Sequence, residues 1–274
     1  VLNLGQEGMI LVGAACAFLA AYNTDSMLMG VLLGALSGMA VSVIFAFVAL
    51  TLISNQVATG LALTIFGTGL SAFLGADYVG NSLDGLGPIS IPALHQIPLI
   101  GPALFGQDIL VYLGFGLFGL VFWVMRSTRL GLIIRAVGES PEVAHALGYK
   151  VLAVRYGAVI FGGAMAGLAG AYLSLAYTPM WAEGISAGRG WIALALVVFA
   201  SWRTERILLG AWLFGFASIL HLLLQGFGYD VPSNLLATLP YAVTIIVLMF
   251  MMSRKGARGL FAPRSLGQPY YPQR

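Results

Sequence analysis

The sequence predicts an all-α fold, a polytopic transmembrane bundle of about eight helices, and three observations predict it. Hydrophobic residues make up 59% of the 274 residues and charged residues 8%. A soluble domain carries about 25% charged residues, so these charges are too few for a water-facing surface of this size. Apolar runs near the length of a bilayer span recur along the whole chain, and a helix needs about 20 such residues to cross. There are 36 glycines, and small residues let helices approach closely in lipid. The runs are continuous, whereas barrel strands alternate apolar and polar residues. Lipid offers the backbone no hydrogen-bond partner, so helices are left as the way across.

Eight apolar segments are read, at 8–22, 27–49, 57–75, 108–125, 152–176, 189–202, 206–225 and 235–252. The 189–202 segment is short for a span, so it begins further back or is a broken helix. The segment 76–107 is rich in glycine and proline (Gly85, Gly87, Pro88, Pro92, Pro98, Gly101, Pro102). It is expected to pack as an outer cap or re-entrant piece. No charge run or linker divides the chain, so a single domain over 1–274 is expected. The heptamers LALTIFG at 61–67 and LALVVFA at 194–200 fall in spans of opposite direction. They suggest an inverted repeat, a frequent transporter plan.

Basic residues give the topology. Arg126, Arg129, Arg135, Lys150 and Arg155 lie in or beside one loop, and Arg203 and Arg206 in a second. Arg254, Lys255, Arg258, Arg264 and Arg274 lie in a tail over 253–274. Counting spans puts all three regions on one side, the cytoplasm by the positive-inside rule. Asp77, Asp84, Glu183 and Asp230 fall on the other side. Arg189 is the exception, at the outer mouth of a span. The first 125 residues hold no Lys or Arg, so this chain orients its first spans weakly. It opens at Val1 with Glu7 close to the first apolar run and lacks the basic start of a secretory signal. A further helix ahead of it is expected. The lone Cys16 allows no intrachain disulfide and no cysteine metal site.

The strongest local signal lies in the loop 126–151, RSTRLGLIIRAVGESPEVAHALGYKV. Ser140 suits an N-cap and Pro141 the first helical position. Glu142 in the first turn favours the helix dipole, and Gly148 suits the residue past the end. A helix of about two turns is expected over 140–147. So short a helix needs packing to persist: it caps its own bundle, or it docks into a groove of a partner.

Four stretches carry a family resemblance. RAVGESPEVAHALGYKV resembles the cytoplasmic coupling segment of ABC importer permeases of the simple sugar, nucleoside and branched-chain amino acid group. LNLGQEGM at 2–9 resembles that family's NIG-x-EGM signature, NQVATGLAL at 55–63 its helix start ending in GLAL, and GRGWIALALVVF at 188–199 its Gly-Arg-Gly-Phe/Trp-Ile-Ala-Leu-Ala pattern. Order and spacing match over nearly the whole chain, closest to the nucleoside and simple-sugar branch. There are two departures. Members normally carry a span ahead of the first signature, and Ala200 and Ser201 stand where a glycine is expected.

The resemblance implies a type II ABC importer permease that works with a cytoplasmic ABC ATPase, a second permease chain and an extracellular substrate-binding protein. The second chain would be a copy or a paralogue, with a paralogue favoured. The sequence lacks a GxxxxGK[ST] phosphate loop, so no cofactor is expected here and ATP would be bound by the partner. Glu139, Ser140, Pro141, Glu142, His145, Ala146 and Gly148 would form the coupling contact. Polar groups at membrane depth more often face an interior than lipid. Asn3, Gln6, Glu7, Asn55, Gln56, Arg189 and Trp191 are therefore candidates for a translocation path.

Each candidate has a plainer alternative. Asn55 and Gln56 are solvated at a turn, Glu7 is interfacial, and Arg189 snorkels to the surface. Trp181, Trp191 and Trp202 belong to an aromatic belt, or Trp181 and Glu183 face the binding protein. An ion-coupled secondary transporter would need ionisable groups in mid-membrane, and Asp108 and Glu7 are the near-span carboxylates. A membrane enzyme is disfavoured because His95, His145 and His221 are scattered without metal-ligand spacing. A channel is disfavoured for want of a filter loop. Nucleic-acid binding is disfavoured because the basic residues follow membrane sidedness rather than forming a patch.

Overall fold

The structure is a computed structural model that describes residues 1–89, 106–226 and 262–271, with the isolated positions 238, 242, 245 and 249. The expected span at 235–252 lies outside the described residues apart from four isolated positions. Half of the outer segment, with His95, also lies outside them. So do Arg254, Lys255, Arg258 and Arg274.

The described helices are α1 (Gln6–Thr24), α2 (Met27–Ala46), α3 (Gln56–Gly75), α4 (Ile109–Ser127), α5 (Arg129–Glu139), α6 (Pro141–Ala146), α7 (Val151–Tyr172), α8 (Arg189–Phe199) and α9 (Thr204–Gly226). A wider turn at Phe47–Thr51 extends α2, and one at Leu173–Tyr177 extends α7. With these extensions five helices, α1 to α4 and α7, are long and apolar enough to cross a membrane. Their bounds fall within a few residues of the apolar runs, because apolar length is the property lipid selects.

The described residues separate into two compact units, Val1–Trp191 with Arg264–Arg274, and Ile192–Pro263. In the first unit α1 is central, with 13 of its 19 residues buried, while α4 buries none. Helix α1 is rich in glycine and alanine, which lets three helices close on it at once. Gly8 lies against Leu63 and Thr64 of α3, and Tyr22 meets Tyr78 just beyond the far end of α3, so α1 and α3 run parallel. Gly13 faces Gly167, and the Ser174 hydroxyl donates to the Ala14 carbonyl at 2.9 Å, so α7 is parallel too. Helix α2 runs back between them. A Cβ on Gly13 would fall 2.6 Å from the Gly167 Cα, and one on Gly38 would fall 2.7 Å from it. Backbone therefore meets backbone from both sides at Gly167, as membrane helix packing favours.

Large apolar side chains point outward instead. Leu28, Leu32, Leu36 and Phe47 on or just beyond α2, Ile65 and Phe73 on α3, and Trp123 on α4 are exposed. This inside-out distribution is what lipid permits and water would penalise.

Helix α8 has 11 residues, three belonging to the first unit and eight to the second. It ends at Ser201 and Trp202, both in the left-handed region at φ 52° and 56°. Ala200 and Ser201 are fully buried there.

Candidate functional site

Two places concentrate the polar chemistry of the first unit. The first lies outside the spans. Thr128 caps α5 by accepting from the Gly131 amide at 3.3 Å. Part of the loop expected over 126–151 is thus a helix, Arg129–Glu139, and the signal for it was present: a threonine cap followed by Leu130, Ile133, Ile134 and Val137 at helical spacing. Helix α6 is shorter than expected, six residues against eight, with Pro141 at its first turn. Ser140 holds the N-cap position in extended backbone, but its hydroxyl makes no cap hydrogen bond. Gly148 takes φ 86°, the left-handed conformation expected past the helix end.

Packing holds this short helix in place. Pro141 and Ala144 are buried, and Ala144 clusters with Val137, Val151 and Tyr270. On the opposite face Glu142, Val143, His145, Ala146, Leu147 and Tyr149 are exposed. Val143 and Leu147 are 59% and 69% exposed, outside any span. Glu139 pairs with Arg264 at 2.8 Å, both exposed, a geometry worth little on its own.

A strap formed by residues 264–270 ties this region to the helix starts. The Ser265 amide and hydroxyl both donate to the Gly138 carbonyl, at 3.1 and 2.6 Å. Arg155, buried at the start of α7, donates to the Ser265 hydroxyl and the Gln268 carbonyl, each at 3.4 Å, and lies 5.5 Å over the Tyr270 ring. Gln56, at the start of α3, donates to the same Gln268 carbonyl at 3.4 Å. The starts of α3 and α7, the α5–α6 segment and the strap thus share one end of the bundle.

The second place lies at membrane depth. Glu7 is 7% exposed. Its Oε1 accepts from the Ser186 hydroxyl at 2.5 Å and the Gly188 amide at 2.9 Å, and its Oε2 accepts from the Gly190 amide at 2.6 Å. Helix α8 therefore starts on a carboxylate. Ala187 and Gly188 are left-handed, at φ 46° and 80°, and turn the chain so that successive amides face one way. A Cβ on Gly190 would fall 2.6 Å from Glu7 Oε2. The neighbouring Gly8 lies beside Thr64, eight residues into α3. At 1.5 Å per residue that is about 12 Å from the start of α3, so Glu7, in the first turn of α1, lies beside the interior of α3 rather than its end.

The other path candidates differ in setting. Arg189 turns away from Glu7. Its guanidinium donates to the Ile185 and Ser186 carbonyls at 3.3 Å each and lies 5.0 Å over the Tyr177 ring. Asn3 is buried, accepting from the Gly5 amide at 2.9 Å. Gln56 is buried and accepts from the Leu2 amide at 2.7 Å, so it is not solvated. Asn55 is exposed and caps α3 by accepting from the Val57 and Ala58 amides. Gln6 and Arg189 are half-buried, and Trp191 is 37% exposed.

Trp181 belongs neither to a belt nor to a docking face. It is fully buried among Ala14, Ala15 and Phe18. Its size and span-end position gave no sign that the chain between Tyr177 and Arg189 would bury it against α1. Glu183 is exposed. Asp108 caps α4, accepting from the Leu110 and Val111 amides. Among the described residues no group of three His, Cys, Asp or Glu could hold a metal ion.

Known proteins share this chain's features end to end. The family described as "Branched-chain amino acid transport system / permease component" matches residues 1–252. A Haloferax volcanii protein, provisionally named a glucose ABC transporter permease protein, is 40% identical over 98% of this chain and 89% of its own length. The nucleoside ABC transporter permease protein of Lactococcus lactis is 30% identical over 98% of this chain and 88% of its own. The guanosine ABC transporter permease protein of Bacillus subtilis is 30% identical with the same coverage. No solved structure matches. With five helices fit to span a bilayer and a family match over more than nine-tenths of its length, the chain belongs to the branched-chain amino acid transport system permease family, as a multi-pass membrane transport subunit of an ABC transporter.

Proposed function

We propose that this permease imports a nucleoside or simple sugar, driven by a cytoplasmic ATPase that grips α6. The observation that carries the reading is α6 itself: a two-sided helix, glued to the bundle through Pro141 and Ala144, that offers Val143, Ala146 and Leu147 to solvent. Apolar groups exposed outside a span favour a protein partner. Glu139, Ser140, Glu142, His145 and Gly148 border that face. The two named nucleoside relatives and the sugar relative support the substrate class. The whole chain acts as one permease domain of about eight spans, with an inverted repeat relating 61–67 to 194–200. It pairs with a second permease chain, a paralogue or a copy, and receives solute from an extracellular binding protein. The basic strap and α6 face the cytoplasm.

In this scheme ATP-driven closure of the partner pushes α6, and the spans rock to alternate access. Gln6, Arg189 and Trp191, the partly exposed candidates, border the solute path. Asn3, Glu7 and Gln56 hold its wall, and Asn55 sits at its inner rim. Such a path offers neutral solutes scattered hydrogen-bond groups and aromatic faces rather than a ring of one charge. An ion-coupled secondary transporter is the rival reading.

Installing Glu142→Trp with Ala146→Trp is the direct test, with radiolabelled guanosine and glucose as probes in cells carrying the complete transporter. Uptake should fall at least tenfold while the purified complex still hydrolyses ATP. Wild-type uptake in the double variant defeats the proposal, as does uptake that persists when the ATPase subunit is deleted.

A further inference from the structure

The Glu7 site joins two sequence stretches, EGM at 7–9 and GRG at 188–190, that lie 181 residues apart. A helix that starts at membrane depth leaves amide hydrogens without partners, and lipid cannot supply them. Helix α8 starts this way, and the carboxylate of another helix fills the need. Glu7 also sits in the first turn of α1, so the positive ends of two helices fall on one negative charge. The basic side chain in the turn is spent elsewhere, on carbonyls and on Tyr177. Glu7 thus accepts two backbone amides and a hydroxyl without an ion pair among the described residues.

We infer that Glu7 is a positioning residue for transport, a permanent pin that makes α1 and the first turn of α8 move as one body. Three short hydrogen bonds on a carboxylate 7% exposed are too costly to break and remake in each cycle, since release would strand a charge away from water. The pin fixes the turn that bears Arg189 and Trp191, and so fixes the wall of the path. This inference rests on the permease reading for its consequence but not for its geometry.

Glutamine at position 7 is the discriminating change. Its carbonyl can still accept one or two bonds, but whichever way its amide is turned the NH2 group meets the Gly188 or Gly190 N–H, a donor against a donor. Ile185→Cys, in a background with Cys16→Ala, reports release of the turn through its labelling rate with a methanethiosulfonate reagent. In the assembled transporter, Glu7→Gln should raise that rate at least fivefold. It should also cut uptake per ATP hydrolysed at least tenfold, for whichever of guanosine and glucose the wild type carries. Glu7→Asp keeps the charge one methylene short and should recover part of both. A merely structural role would lower the yield of assembled complex and leave uptake per ATP unchanged in what assembles, and that result overturns the inference.

If Glu7→Gln does not assemble, Ser186→Ala removes one donor of three and should raise labelling by a smaller factor. Wild-type labelling in that variant also overturns it. A wild-type complex that shows no ATP-driven uptake defeats the permease reading alone, because the labelling comparison still reads the pin.

Discussion

Ser201 sits at φ 52°, fully buried, and among the described residues its hydroxyl has no hydrogen-bond partner. A non-glycine residue in the left-handed region costs about 1–2 kcal/mol, and a buried unpaired hydroxyl adds to that. The sequence comparison expected a glycine here, and the backbone explains why one would serve better. Ser201→Gly should stabilise the protein by about 1 kcal/mol, read as a rise in thermal midpoint in detergent. A lowered midpoint contradicts this account of the helix end. Glu7 shows the opposite side of legibility. Its type and position in a signature were plain, and membrane depth was a reason to single it out. Its partners were hidden because Ser186, Gly188 and Gly190 lie in a segment with no periodicity to place it. Gln56 likewise read as a turn residue, since nothing in the sequence shows that Leu2 and Gln268 close over it.

Among the elements, the glycine seam makes a paired prediction. A Cβ on Gly167 would press on the backbone of Gly34 and Ala35, at 3.0 and 3.1 Å, besides a nearer carbonyl oxygen. Rigid backbone on both sides leaves only helix separation, so Gly167→Ala should cost about 2 kcal/mol. Gly69 in α3 has nothing within 4 Å of the same position, so Gly69→Ala should be neutral or gain up to about 1 kcal/mol. Thermal unfolding of the two variants side by side checks both signs. Helix bounds were legible because apolar runs and their interruptions set them, as at α2, α3 and α7. Helix α5 is hard to read from the sequence because it follows directly on a span and its apolar face is only one side wide. The strap was invisible to pattern reading, since 264–270 has no repeating signal and its meaning comes from Arg155, a residue that counted as one more cytoplasmic charge. Arg155→Ala should free the strap while the bundle stays folded. Hydrogen exchange at the Ser265 and Gln268 amides should quicken about tenfold, the change that 1.4 kcal/mol makes. Unchanged exchange would mean that Gly138, Glu139, Gln56 and the packing of Tyr270 hold the strap without Arg155.

For the whole molecule, composition alone gave the solvent, and the structure bears this out by turning small residues inward and large apolar ones outward. The division of labour follows from that. A bundle with so few charges depends on its extramembrane face for conversation with soluble partners, and α6 presents an apolar patch there, backed by a strap that reaches the starts of α3 and α7. A push on α6 would therefore be passed to the helix ends rather than absorbed by a loose loop. The exact substrate stayed beyond sequence reading because the candidate path residues are few and mostly neutral, compatible with many small polar solutes. The most direct test of the coupling claim is photocrosslinking from position 145, on the exposed face of α6, in native membranes. The account predicts that His145 replaced by a photoreactive residue captures an ATP-hydrolysing subunit, with the yield changing when ATP is added. Capture of lipid or of other permease segments alone, under every nucleotide condition, would contradict it.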